Sequence, residues 1–145
     1  MAMELRLKKL YFALLIPAIA GFVIVGTAKI LLKLNLYLAR EFPILGPGLF
    51  VLAIASGVAF PILWRTLFAN KNRNRKHITE MELMRFERGC LYIALAAPYF
   101  ALIGFLLDIP RFHFYGTILA SLYAVYYFYP SEKRIKFERR IFRVR

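Results

Sequence analysis

The sequence predicts an all-α integral membrane protein: a four-helix bundle of two helical hairpins, with the N- and C-termini cytoplasmic. Three observations predict it. The hydrophobic fraction is 61%, well above the roughly 45–50% of a soluble domain. Four stretches lack Lys, Arg, Asp and Glu altogether: residues 10–28, 42–64, 89–107 and 112–131. The basic residues fall heavily on alternate connections between them. A bilayer core of about 30 Å takes roughly 20 apolar residues as helix, and each run supplies 19 or more. A soluble fold would need four helices apolar on every side, with too little polar chain left to cover them.

Charge gives the orientation. The N-terminal segment, the central loop and the tail hold 17 of the Lys and Arg residues; the other two connections hold 4. Cytoplasmic loops carry the basic excess. The N-terminus, central loop and tail are therefore expected inside, and the turns near residues 33–42 and 108–112 outside. The expected organisation is one transmembrane domain, residues 1–145, in an inner (plasma) membrane. Its spans are about 10–32, 43–66, 89–108 and 112–129, followed by a basic cytoplasmic tail, 130–145. Net charge is +13, which can signal nucleic acid. Here the basic residues fit topology, so no nucleic-acid partner is expected. Ala18-Ile19-Ala20 resembles a signal-peptidase site, but the apolar run continues to Val25, so a retained first span is expected.

The first span starts near Leu5 and carries Pro17, which membrane helices tolerate. Lys29 near its outer end can snorkel to the interface. Residues 34–40 read as a short amphipathic piece lying along the interface. The second span opens at Phe42-Pro43-Ile44-Leu45-Gly46-Pro47-Gly48, favouring a helix start with Pro in the first turn over a re-entrant segment. Ala53 and Gly57 form a small-xxx-small pair that permits close helix contact. Pro61 is expected to kink the helix before Trp64, which suits the interface. Thr79-Glu80-Met81-Glu82 is a T-x-x-E capping box, so the third helix should start near Glu80, about 15 Å before the bilayer. In the fourth span Gly116, Ala120 and Ala124 make a second contact stripe. Tyr123, Tyr126, Tyr127 and Tyr129 then crowd its cytoplasmic end. The tail, with Phe137, Ile141 and Val144 on one helical face, reads as a surface helix on an anionic leaflet or as a docking strip for a partner.

Leu10-Tyr11-x-Ala13-Leu14-x-x-Pro17 recurs as Leu91-Tyr92-x-Ala94-Leu95-x-x-Pro98. Both copies enter the membrane from the same side, so a duplicated hairpin would be a parallel repeat.

The sequence offers no catalytic residue and predicts no cofactor and no metal site. His77 and His113 fall on opposite sides of the membrane and cannot share a metal or haem. No acid lies mid-span, where ion and proton paths usually place one. Asp108, Arg111 and His113 are the outer-side candidates, with Asp108 and Arg111 expected to pair or cap around Pro110. The single cysteine, Cys90, allows no internal disulfide and is expected to be a small packing residue. In length and span count the chain is similar to the small multidrug exporters, but it lacks a first-span glutamate.

The expected function is therefore non-enzymatic: an accessory, structural or assembly subunit packing against other membrane helices or lipids. The contact residues are Ala53, Gly57, Gly116, Ala120 and Ala124 in the bilayer. Arg73, Arg75, Lys76, Lys133, Arg134, Arg139 and Arg140 are expected to meet anionic headgroups or a partner. The partners expected are the bilayer, anionic cytoplasmic lipids, and other membrane subunits or a second copy. The alternatives are a small oligomeric transporter or channel for an apolar or lipid-like substrate, and a membrane enzyme acting on lipids at the cytoplasmic interface.

Overall fold

The computed structural model describes residues 2–33, 36 and 38–144, and these are helical with no strands. Three helical stretches are long and apolar enough to cross a membrane: Ala2–Leu32, Leu45–Lys71 and Glu80–Leu106. The expected interfacial piece at 34–40 falls largely outside the described residues.

Helix α1 (Ala2–Leu32) runs without a break through Pro17. A short α2 (Leu38–Glu41) precedes α3 (Leu45–Ile54). Helix α3 starts from a backbone turn with no side-chain cap: Leu45 N–H donates to Phe42 O at 3.1 Å, and Pro47 lies in the first turn. A proline there removes a donor that has no intrahelical partner anyway.

The stretch then widens into a π turn at Ala55–Ala59 and resumes as α4 (Phe60–Lys71). Pro61 has no N–H to give the Gly57 carbonyl, and Phe60 N–H reaches back five residues to Ala55 O. The expected Pro61 kink thus takes the form of a π bulge, one of the recognised causes of a bent helix.

Helix α5 (Glu80–Ala94) begins at the predicted capping box. Thr79 Oγ1 accepts from Glu82 N–H at 3.3 Å, and Thr79 N–H donates to Glu82 Oε2 at 3.2 Å. Helix α5 breaks at Leu95 and continues as α6 (Ala96–Leu106). The break falls three residues before Pro98. The two repeat copies therefore differ in structure: the helix passes through Pro17 but breaks ahead of Pro98. Tyr11 is buried and donates to Val125 O at 2.8 Å, whereas Tyr92 is half-exposed.

Helix α6 ends in a Schellman motif, with Asp108 at φ 53° and Ile109 N–H donating to Gly104 O at 3.2 Å. Asp accepts the left-handed conformation more readily than most residues. Helix α7 (Arg111–Tyr127) and α8 (Glu132–Ile141) complete the fold.

Helices α3, α6 and α7 pack on one another, and α1 lies along α5 and α6. The large apolar core is at the end where α1 and α5 begin and α4 and α7 finish, here called the basic end. It holds Leu7, Tyr11, Leu83, Phe86, Leu91 and Phe142. Helix α8 belongs to this core: Ile135, Glu138 and Phe142 are buried, while Phe137 and Ile141 are exposed. Phe68 stacks on Phe86 with centroids 4.3 Å apart, and Phe142 meets both edge-on at 5.1 and 5.8 Å. Val144 forms an isolated bridge to Ile78. The inward face of the tail is therefore the Ile135/Phe142 face; Phe137 and Ile141 point away from it, and Val144 packs on the core.

Candidate functional site

Along the apolar stretches, the small residues bring helices together. A side chain at Gly57 would start 3.2 Å from Ala120 O, 3.4 Å from Ala124 Cβ and 3.4 Å from Ala97 Cβ. Ala53, Ala120 and Ala124 are buried. Gly116 gives its space to the Phe50 ring, whose edge would lie 2.2 Å from an added Cβ. The two stripes named in the sequence thus meet each other. Hydroxyls in this region turn to their own helix: Ser56 donates to Ala53 O, Thr117 to Phe114 O and Ser121 to Thr117 O. That satisfies each donor locally, as hydrocarbon requires.

A charged cluster seals the basic end. Arg134 of α8 donates from Nη2 to Glu87 Oε2 at 2.7 Å and from Nη1 to Phe128 O at 2.8 Å. Arg65 of α4 pairs with Glu138 of α8 at 3.0 Å. Glu87 is 2% exposed and Glu138 4%. Ser131 caps α8, which fixes the turn that aims Arg134 inward. Glu87 Oε1 and Glu138 Oε2 are buried without a protein partner among the described residues. A cavity of about 50 Å³ is lined by both residues, room for one or two waters. Burial pushes the Glu138 carboxyl above its usual range, with Arg65 and then Arg134 pulling it back. Cys90 is buried beside this cluster, so its thiol is a packing group that acylation cannot reach in the folded chain.

The other basic candidates separate by setting. Arg75 pairs with Glu82 at 2.8 Å and Arg139 with Glu80 at 3.4 Å. Arg73, Lys76, Lys133 and Arg140 are exposed. Arg134 is turned into the core rather than outward to a leaflet.

At the far end, the expected Asp108–Arg111 pairing is replaced. Asp108 pairs with Lys29 of α1, and Lys29 also lies 4.7 Å from the Phe105 ring centroid. The positive φ of Asp108 turns its side chain back toward α1, and the sequence separation of 79 residues hid the partner. His113 packs in the first turn of α7 against Gly46 and the rings of Phe50 and Phe112. Asp108 and His113 thus have different neighbours, and His113 Nδ1 is buried without a hydrogen-bond partner among the described residues. Asp108→Asn should cost less than about 1 kcal/mol, since the pair is part-exposed. Asp108→Val should cost more, because a β-branched residue resists positive φ. Thermal unfolding in detergent of the two variants separates charge from backbone.

No family model matches the chain, and no curated protein or solved structure matches it either.

Proposed function

We propose that the chain is a non-enzymatic, multi-pass inner-membrane protein that works by packing against other membrane helices or lipids, as an accessory or assembly subunit. In this reading it crosses the bilayer four times. The N-terminus, the central loop and α8 are cytoplasmic. Helix α7 has 17 residues, about 25 Å, and it packs between two longer apolar stretches. The observation that carries the reading is the outer face of α7. Phe112, Tyr115, Leu119, Leu122 and Tyr126 are exposed there at alternating steps of three and four. That spacing makes one continuous apolar stripe, about a third of a turn round the helix from the Gly116/Ala120/Ala124 contact face. Helix α1 likewise exposes Ile16, Ile19, Val23 and Ile24. Such faces suit lipid or another apolar helix.

Two experiments test it. Reporter fusions should give an external signal only near residues 36 and 109, and an internal one at 74 and after 144. An external signal after 144 would remove the fourth crossing. Purification in mild detergent should retain a stable heteromeric partner. A homodimer that carries flux in proteoliposomes would overturn the reading in favour of a transporter of apolar substrates. A crevice between α1 and α7 supports that second reading. It is lined by Leu15, Ile19, Phe22, Pro98, Ile118 and Leu122, with a volume of about 200 Å³.

A further inference from the structure

A groove of about 220 Å³ lies between helices α4 and α5 at the basic end. That is roughly seven waters' worth at ~30 Å³ each. Its two walls have matching gradients. On α4, Phe60, Trp64 and Lys71 fall on one stripe, at steps of four and seven. On α5, Tyr92, Gly89, Arg85 and Glu82 fall on one stripe, at steps of three, four and three. Both stripes run from apolar to charged in the same direction. Trp64 is the last residue of the second charge-free run and Gly89 the first of the third. The change from apolar to charged therefore lies at the level where the bilayer ends.

The charges are arranged to leave a net positive floor. Glu82 is held in the capping box by Thr79 and pairs with Arg75 at 2.8 Å. Neither Lys71 nor Arg85 has an ion-pair partner among the described residues, and both are exposed on the groove. Gly89 lets the Trp64 indole lie against the α5 backbone, since an added Cβ would be 3.1 Å from Nε1. The groove thus offers basic side chains beside a flat aromatic wall, and Phe60 and Tyr92, the next residues along the same two stripes, are half-exposed.

We propose that this groove binds a phospholipid with an anionic headgroup, its phosphate between Lys71 and Arg85 and its chains along Phe60 and Tyr92. A free phosphate would satisfy the basic floor alone. The gradient along both walls matches a molecule that is apolar at one end and anionic at the other. The proposal rests on the membrane reading above and narrows its lipid partner to one site and one headgroup charge.

Trp64 is the only tryptophan, so the groove carries its own reporter. Protein in a neutral detergent is titrated with short-chain phosphatidylglycerol, with phosphatidylcholine of the same chains, and with inorganic phosphate. Native mass spectrometry counts the lipid retained in each case. Phosphatidylglycerol should change the Trp64 emission saturably and be retained at one copy. Phosphatidylcholine should bind at least tenfold more weakly, and inorganic phosphate should leave the emission unchanged. K71Q/R85Q should weaken phosphatidylglycerol at least tenfold without altering the melting curve. R6Q/K9Q removes the same charge from exposed positions on α1 and should not weaken it. Equal affinity for the two lipids, or no effect of K71Q/R85Q, would overturn the proposal. Binding of inorganic phosphate as tight as the lipid would replace the lipid with a soluble anion. The titration needs no sidedness, so a failed topology test and a failed groove are told apart.

Discussion

Arg134→Gln should be among the most damaging single substitutions, lowering stability by about 3–5 kcal/mol, the usual cost of stranding a buried charge. The carboxylate it leaves behind, Glu87, is 2% exposed, and its second oxygen already lacks a protein partner. The same change removes the donor to Phe128 O, the carbonyl just past the end of α7. The double variant E87Q/R134Q should recover much of the loss, because two neutral amides carry far less desolvation cost than one unpaired charge. A double-mutant cycle on thermal unfolding in detergent reads the difference. Lys136→Gln provides the contrast. Its ion pair with Glu132 has side chains 72% and 57% exposed, and exposed pairs contribute about 0–1 kcal/mol. If Arg134→Gln melts like Lys136→Gln, α8 is not anchored by this cluster.

The contrast explains which parts of the fold were legible in the sequence. Local signals transfer well. Thr79 and Glu82 are three residues apart, and the capping box they announce fixes the start of α5. The absence of charge over residues 42–64 and 89–107 marks two apolar stretches, because hydrocarbon excludes charge whatever the tertiary fold. Gly57 and the Ala120/Ala124 pair were readable as contact surfaces because small residues at steps of four leave a flat strip.

Long-range pairing was not readable in the same way. Glu87 and Arg134 are 47 residues apart, and Lys29 and Asp108 are 79. Nothing in either local pattern names its partner. One signal was available for Glu87: it lies beside Phe86 and one turn from Leu83, Cys90 and Leu91, among residues that all became buried. An acid on an inward face needs a cation, and the tail supplies seven Lys and Arg residues. Which of them turns inward depends on the Ser131 cap and on Ile135, which set the rotation of α8. The inward face of the tail, Ile135/Glu138/Phe142, is hard to pick out for the same reason: it includes a charge that looks solvent-bound until Arg65 of α4 is seen opposite it.

Gly57→Leu should be the second large effect, and its size comes from backbone rather than from side chains. Three neighbours meet any added Cβ at Gly57: Ala120 O, Ala124 Cβ and Ala97 Cβ. None of them can swing away. Two are methyls fixed to helix backbones, and the third is a carbonyl in the α7 ladder. A leucine therefore has to push α7 and α6 off the π turn, and overpacking of that kind costs about 1–3 kcal/mol or more. Gly116→Ala should be milder although the added Cβ would come closer to its neighbour, 2.2 Å, because the obstacle is the Phe50 ring, which can turn about its own bonds. Gly48→Ala should be neutral or slightly stabilising. Nothing lies within 4 Å of the added Cβ there, and alanine gains about 0.5–1 kcal/mol over glycine inside a helix. The order Gly57→Leu, Gly116→Ala, Gly48→Ala in unfolding midpoint tests whether helix–helix approach, rather than helix propensity, holds the α3/α7 contact. Equal midpoints for all three would mean that the contact contributes little to folding. The stripe of small residues would then have to be explained by a partner helix that takes the place of α7.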